Sequence, residues 1–300
     1  TGNYLRQFMR VNLFDDIWRT TEIGFNALML LAKSISSNYA SLLTLISLVV
    51  VSCYVSTIVR LTKRYETALF LFIALGYYTF FFNGARQGIA AAICFLAIPW
   101  LLERKPKQYF LLIGLAFTFH HTALIAAPLY FLALPRVGWR QIASVLGGSV
   151  LMTLFLATFV SLATAFISDK YATYADAAEG GGYVMVAFLT AQGAILYFFR
   201  GKAKDPYGYY PRLLNIYLIG LIPLIAAIVS SVNPSGIIRL HMYFSGTAIL
   251  LWPMIFIGIS KVKERSFIAF IFLLFTLLFF YMTTSTFSKL VPYSINLGLV

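Results

Sequence analysis

Charged side chains are scarce in this 300-residue chain, at 11% of all residues, whereas 60% are hydrophobic. Soluble domains carry about 25% charged residues, so the composition excludes an ordinary soluble protein. Apolar runs of about 20 residues recur along the chain, which is the length of a membrane-crossing helix. The runs are continuous rather than alternating, which favours helices over strands. We therefore predict an all-α, polytopic integral membrane protein.

Patterns of common metal and nucleotide sites are absent too. No CxxC, HExxH, Walker A or GxSxG pattern occurs, so we expect neither a metal nor a cofactor. The two cysteines, Cys53 and Cys94, lie inside apolar runs, where cysteine is ordinarily a small core residue. The net charge of +13 reflects basic loops beside membrane spans, so we expect no nucleic-acid partner.

The apolar runs predict about ten transmembrane helices, some of them short or re-entrant. We place them at 40–59, 66–82, 86–102, 108–120, 122–135, 141–167, 183–199, 212–231, 237–260 and 266–282. Tight Lys/Arg clusters then fall on alternate loops, at 60–64, 104–107, 136–140, 200–212 and 261–265. Because cytoplasmic loops are enriched in Lys and Arg, we predict that these clusters face the cytoplasm.

Residues 108–134 permit two topologies. A single crossing would invert every later loop and place most basic residues outside. Two helices that turn at His120-His121 keep the charge bias, and we predict this hairpin. Each arm is then about 20 Å long at 1.5 Å per residue, shorter than a hydrocarbon core of about 30 Å. We therefore expect the histidine pair in a recess below the outer surface.

On this topology the chain is a single transmembrane domain, 1–300, with two notable outer segments. Residues 1–39 contain an amphipathic or re-entrant helix, and residues 168–183 form an extracytoplasmic loop. In that loop Tyr171, Tyr174 and Asp176 are candidate sugar-binding residues, although an ordinary connecting loop is an equal interpretation.

In the outer turn FFNGARQ, Arg86 closely follows a predicted helix start. Asn83-Gly84 is suited to cap a helix that begins near Ala85; Arg86 then lies in the first turn, beside Gln87. Free N–H groups, the positive end of the helix dipole and a guanidinium together favour an anion. We interpret Arg86 as an unpaired cation whose counter-ion is the substrate; the alternative is a cation that snorkels to the headgroups.

The turn at Asn233-Pro234-Ser235 repeats this arrangement. Arg239 follows within the next turns, and Tyr243 lies four residues later, on the same face of an α-helix. His241 is a weaker candidate for which packing is expected. Two arginines match the oxygens of a diphosphate, which they can bind bidentately.

His120 and Glu22 are the candidate proton-transfer groups. A histidine titrates near neutral pH, whereas a hydrogen-bonded structural histidine is the alternative for His120 and more so for His121. Adjacent histidines point about 100° apart on a helix, which disfavours a shared metal. Glu22 opens an apolar helix, either as a base in apolar surroundings or as a first-turn residue favoured by the dipole.

The segments W-x3-EIGFNALMLLAKSISSN, FFNGARQGIAAAICFLA and FTFHHTALIAAPLYF resemble the EpsG-like family of Wzy-type bacterial polysaccharide polymerases, and IIRLHMYF is also similar. Arg86-Gln87 and His120 or His121 match the family's Arg-Gln pair and histidine. TGNYLRQF resembles the segment after the family's first span, where an aspartate commonly follows Gly-Thr; this chain has Asn3-Tyr4 instead. The resemblance therefore implies a further helix before Thr1.

The resemblance implies transfer of a growing glycan from undecaprenyl diphosphate to the next lipid-linked repeat unit. The reaction takes place at the outer face of the bacterial cytoplasmic (inner) membrane. Arg86, Gln87 and Arg239 are then expected on the diphosphate, His120 or Glu22 as proton acceptor, and Tyr243 as an assisting residue. Expected partners are the undecaprenyl-diphosphate-linked oligosaccharide, membrane lipids and a chain-length regulator.

Three rival functions stay open. An O-antigen ligase uses the same donor with a lipid A-core acceptor, and an acyltransferase also works at the membrane with a histidine. A lipid-linked oligosaccharide flippase is expected to show a charged central cavity and two similar halves. Neither feature is apparent in this sequence.

Overall fold

The computed structural model describes residues 2–11, 22–166, 182–230, 234–288 and 290–291. Within these ranges the regular structure is helical, with no strand. In the described part of the chain, five helices are long and apolar enough to cross a membrane, or six if the bent pair Gly236–Tyr243 and Ser245–Gly258 is one span. The prediction of an all-α polytopic membrane protein is therefore confirmed.

The chain forms two compact units. Unit 1 comprises Thr1–Tyr130 and Lys263–Val300, and unit 2 comprises Phe131–Val262. The predicted organisation as a single transmembrane domain, with an outer segment at 1–39, stays a prediction.

Unit 1 contains the helices that position the candidate site. They are α1 (Gly2–Arg10), α2 (Ile23–Ile35), α3 (Ala40–Leu61), α4 (Tyr65–Ala74), α5 (Tyr77–Phe80), α6 (Ala85–Leu102) and α7 (Pro106–Phe119). A 3₁₀ helix (His121–Ala126) and the short α8 (Leu129–Leu132) follow.

Helix α6 is the centre of unit 1. It packs most extensively on α7 and α3, and 83% of its 18 residues are buried. The small residues Ala90, Ala91 and Ala92 are all buried, and they let neighbouring helices approach closely, as small residues do in membrane helix pairs. Tyr54 of α3 stacks on Phe95 of α6 with ring centroids 4.6 Å apart. These contacts fix the middle of α6 against its neighbours.

The chain reverses at the histidine pair. Helix α7 ends at Phe119, and His120 is extended. The Oη atom of Tyr109 donates to the carbonyl of Ala126 at 2.6 Å, and Arg104 donates to the carbonyl of Tyr130 at 2.6 Å. Residues after the turn therefore return alongside α7. The predicted reversal at the histidine pair is confirmed. Its first arm of 14 residues is about 21 Å long, whereas the second arm, predicted as one helix over 122–135, is a 3₁₀ helix followed by the short α8.

Several other predicted crossings are broken or bent. The run at 66–82 divides into α4 and α5 at Gly76, whose φ of 81° is in the left-handed region. Glycine adopts this conformation without steric cost because it has no Cβ atom. The run at 212–231 divides at Gly220. There a Cβ atom would collide with Phe244.

Unit 2 contains the next helices of the chain. They are α9 (Trp139–Phe166), α10 (Tyr183–Phe198), α11 (Tyr210–Ile219), α12 (Leu221–Val229), α13 (Pro234–Ile238) and α14 (Ala248–Gly258), with 3₁₀ helices at Phe199–Lys202, Arg239–Tyr243 and Ser245–Thr247. Helix α15 (Val262–Met282), which belongs to unit 1 from Lys263 onward, leads into a π-helical turn (Thr283–Phe287).

A second cluster of charges lies at the C-terminal end of α6. Glu103 pairs with Arg60, and with the Nζ atom of Lys105 at 2.8 Å. The hydrogen bond from Lys105 and the neighbouring Arg60 lower the pKa of Glu103. The Cζ atom of Arg60 also lies over the Trp100 ring, 4.0 Å from its centroid. Because α6 has 18 residues, this cluster is about 27 Å from the start of the helix.

The hairpin contact predicts the effect of Tyr109→Phe. Tyr109 is 2% exposed, so the substitution leaves the buried Ala126 carbonyl without this donor. We expect a loss of about 1–3 kcal/mol of stability, seen as a lower midpoint in a thermal unfolding scan in detergent. Tyr65→Phe is the control, since Tyr65 is 37% exposed. Equal midpoints for Tyr109→Phe and the wild type would contradict the prediction.

Candidate active site

Three helix ends meet at one end of unit 1 and bring three polar side chains together. Glu22 directly precedes α2, Arg86 lies in the first turn of α6, and His120 directly follows α7. In the sequence, Arg86 is 64 residues and His120 is 98 residues from Glu22. We call Glu22, Arg86 and His120 the Glu22 triad.

The carboxylate of Glu22 bridges the other two members. Arg86 Nη1 donates to Glu22 Oε2, and His120 Nδ1 lies 2.7 Å from Glu22 Oε1. Glu22 is only 7% exposed, whereas the side chains of Arg86 and His120 are 26% and 25% exposed. A buried anion thus holds a cation and an imidazole that both reach the surface.

This geometry corrects the interpretation of Arg86 as an unpaired cation: its partner is Glu22. The predicted helix start at Ala85 is confirmed, and of the predicted Asn83-Gly84 pair Gly84 is at the cap. Gly84 occupies the N-cap position without a side-chain cap, and Asn83 instead donates to the Ser288 carbonyl at 3.1 Å. Both differences arise from residues far away in the chain, which no local pattern can show.

Aromatic rings surround the guanidinium of Arg86. Its Cζ atom lies 5.6 Å from the ring centroid of Tyr4 and 5.9 Å from that of Phe25. The two rings are 5.5 Å apart. Such contacts stabilise a partly desolvated cation. No local sequence pattern indicates a role for Tyr4, because only the packing of α1 on α2 brings it to Arg86.

Lys33 holds α1 in place. Its Nζ atom donates to the carbonyls of Phe8, Met9 and Val11 at 3.3, 3.2 and 2.7 Å. A cation suits this position because the last carbonyls of a helix are otherwise unsatisfied and carry the negative end of the dipole. Lys33 therefore fixes α1, and with it Tyr4, against the helix that carries Glu22.

Two glycines permit the close approach of the helix ends. A Cβ atom at Gly24 would collide with Thr118 and lie 3.1 Å from the Phe119 ring, so α2 reaches the end of α7 only without a side chain there. At Gly88 a Cβ atom would lie 2.6 Å from the Cβ of Phe81. Gly24 therefore sets the distance from Glu22 to His120, and Gly88 sets the position of the first turn of α6.

The two histidines of the turn have different surroundings. His121 stacks on Phe117 with ring centroids 4.8 Å apart, whereas His120 faces Glu22. Of the two histidines, His120 is therefore the one that contacts Glu22 and belongs to the triad. Gln87, also a predicted site residue, is buried next to Arg86 in α6.

The predicted residues of unit 2 are arranged differently from the expectation. Helix α13 begins at Pro234, but a 3₁₀ helix takes over at Arg239. Arg239 is exposed and Tyr243 is buried, so the predicted shared face is wrong. A 3₁₀ helix has three residues per turn, and positions four apart therefore diverge. His241 is buried and its Nδ1 atom lies 2.6 Å from the Ile238 carbonyl, which fits the packing role expected of it.

Asn233, Tyr171, Tyr174 and Asp176 lie outside the described residues. Their predicted roles, like the placement of Arg239 and Tyr243 at the site of Arg86, stay predictions.

Gly88→Ala tests the packing that positions Arg86. The added methyl group must displace Phe81 or the first turn of α6, and overpacking of this kind costs about 1–3 kcal/mol. We expect a lower thermal unfolding midpoint in detergent. Gly114→Ala is the matched control, since a Cβ atom there meets nothing within 4 Å and alanine favours the helix by about 1 kcal/mol. A Gly88→Ala protein as stable as Gly114→Ala would refute the packing argument.

Comparison with known proteins identifies the family. The model of the EpsG family matches residues 1–295, a range that includes the whole Glu22 triad. No match was found among curated proteins or among solved structures. The family consists of polysaccharide-polymerase-like membrane proteins that take part in polysaccharide biosynthesis. Because the match covers nearly the whole chain, this polytopic membrane protein belongs to the EpsG family.

Proposed function

We propose that this protein is a surface-polysaccharide polymerase, a membrane glycosyltransferase that uses a lipid-linked donor. It transfers the growing glycan from undecaprenyl diphosphate to the next lipid-linked repeat unit, at the outer face of the bacterial cytoplasmic membrane. The observation that carries the proposal is the Glu22 triad, in which one buried carboxylate holds a partly exposed guanidinium and a partly exposed imidazole. Membership of the EpsG family supplies the reaction class.

The reaction needs a cation and a proton acceptor. The bond between the anomeric carbon and the diphosphate breaks, and its electron pair moves to the departing diphosphate oxygen. The hydroxyl oxygen of the acceptor sugar forms the new glycosidic bond and gives up its proton. Negative charge therefore grows on the diphosphate in the transition state, where a fixed cation is most effective.

Arg86 supplies the cation. It lies in the first turn of α6, where N–H groups and the helix dipole also favour an anion. A guanidinium has five N–H donors and binds phosphate oxygens bidentately. In this proposal Gln87, buried beside Arg86, supports the site through its amide.

His120 or Glu22 accepts the proton. The imidazole is partly exposed and in hydrogen-bond contact with Glu22, which is the arrangement of a histidine base and an orienting carboxylate. Arg239 and Tyr243 of unit 2 are the further residues proposed for diphosphate binding and for assistance. The loop residues Tyr171, Tyr174 and Asp176 are proposed to contact sugars, and a chain-length regulator is proposed as a partner.

The decisive test is Arg86→Ala in protein reconstituted with the lipid-linked repeat unit. We expect polymer formation to fall by about 100-fold or more, the usual effect of removing one group that stabilises transition-state charge. Glycan lengths resolved on a gel measure the outcome. Lys107→Ala, which removes an exposed cation beside the start of α7, is expected to make polymer at the wild-type rate.

Normal chain lengths from Arg86→Ala would show that the diphosphate role is wrong. A deletion strain separates the polymerase from the ligase. Single repeat units on the final acceptor indicate a lost polymerase, whereas long chains stranded on undecaprenyl diphosphate indicate a lost ligase.

A further inference from the structure

The cation proposed for the diphosphate already has an anionic partner. Arg86 Nη1 bonds to Glu22 Oε2, so a diphosphate that arrives at Arg86 meets a carboxylate at the same guanidinium. Two anions that share one cation compete for it, because each reduces the attraction available to the other. A diphosphate that engages Arg86 therefore weakens the pairing of Arg86 with Glu22.

The burial of the two partners indicates which one moves. Glu22 is 7% exposed and is held by His120 through its other oxygen at 2.7 Å. The Arg86 side chain is 26% exposed and has a long flexible arm. Glu22 is thus fixed in the protein, whereas the guanidinium is able to turn toward a ligand at the surface.

We propose that Glu22 is a resident counter-ion of Arg86 that the donor's diphosphate displaces, and that it then acts on His120 as a positioning residue. This inference rests on the proposed function for the identity of the diphosphate. It assigns to Glu22 the role of orienting the base, and to His120 the role of the base itself.

The contact with Glu22 determines which nitrogen of His120 accepts the proton. Because a carboxylate accepts hydrogen bonds, Nδ1 carries the hydrogen and Nε2 carries the lone pair. The acceptor hydroxyl then gives its proton to Nε2, and the imidazolium that forms is stabilised by the Glu22 carboxylate. An orienting carboxylate has this effect in other histidine bases.

Arrival of the donor strengthens this effect. While Arg86 is bound to Glu22, the guanidinium neutralises part of the carboxylate charge that His120 experiences. Once Arg86 turns to the diphosphate, the carboxylate acts more strongly on the imidazolium. Among the residues that the structure describes, the charged and titratable groups placed at the triad beside His120 are Glu22 before α2, Arg86 on α6, Tyr4 over Arg86 from α1, and the adjacent His121. Proton acceptance is thereby coupled to donor binding.

The same competition assists release of the product. Glu22 is tethered beside Arg86 at a high effective concentration, so it returns to the guanidinium when undecaprenyl diphosphate departs. A site without the carboxylate would retain the product diphosphate more strongly.

The experiment compares wild type with Glu22→Gln, using pyrophosphate as the probe. Isothermal titration calorimetry of the full chain in nanodiscs measures pyrophosphate affinity, and the reconstituted assay measures turnover and KM for the lipid-linked donor. We expect Glu22→Gln to bind pyrophosphate about tenfold more tightly, a typical coupling between competing sites. Turnover is expected to fall about 100-fold. The KM for the lipid-linked donor is expected to fall as well.

Glu103→Gln is the matched control. Glu103 also pairs with two cations, Arg60 and Lys105, but it lies at the opposite end of α6. We expect wild-type pyrophosphate affinity and turnover from this variant. A general effect of removing one negative charge would appear in both variants, whereas the proposed competition appears only in Glu22→Gln.

Unchanged or weaker pyrophosphate binding by a folded Glu22→Gln protein would overturn the inference. A purely structural role predicts that affinity and turnover are lost together. If Glu22→Gln fails to give a cooperative thermal transition, Glu22→Ala replaces it. In that variant we expect tight pyrophosphate binding and partial recovery of turnover with added formate, and absence of both would overturn the inference.

The proposed function fails separately from this inference. If wild type makes no polymer but Glu22→Gln binds pyrophosphate more tightly, the function is wrong and the counter-ion role is supported. If wild type makes polymer and Glu22→Gln does not gain affinity for pyrophosphate, only the inference is wrong.

Discussion

A single buried carboxylate organises the end of unit 1 where three helix ends meet. Burying Glu22 is costly unless it is paired, and Arg86 and His120 together provide that pairing. Breaking such a pair typically costs about 3–5 kcal/mol, so α2, α6 and α7 are held together where they meet. The same carboxylate keeps a guanidinium and an imidazole together near the surface. In the proposed function, stability and chemistry therefore depend on the same group.

The two ends of α6 use charge in different ways. At its start, Arg86 is paired with a carboxylate that is 9% exposed at its side chain. At its end, Glu103 pairs with Arg60 and Lys105, all of them more exposed, where such pairs contribute little. The apolar helix between them keeps the two clusters about 27 Å apart. Of these two clusters, the stronger interaction is at the start of α6.

The sequence predicted the elements better than the contacts. Continuous apolar runs placed most helices, and charge bias predicted the reversal at His120, because both signals are local and additive. The candidates Glu22, Arg86 and His120 were identified from residue type and position at helix ends. The pairing of Arg86 and the place of Tyr4 were missed, since they depend on how α1, α2 and α6 pack. Arg239 and Tyr243 were misread because an α-helical period was applied to a 3₁₀ segment.

The short first arm of the hairpin has a consequence for the surrounding lipid. Helix α7 is about 21 Å long, well below the ~30 Å thickness of a hydrocarbon core. A bilayer adapts to a short helix by thinning around it, at a modest cost per ångström. Headgroup phosphates beside α7 then lie deeper than in the undisturbed leaflet, close to the level of His120. In the proposed function, the diphosphate of the lipid-linked donor reaches that depth by lateral diffusion, with its polyprenyl chain still in the membrane.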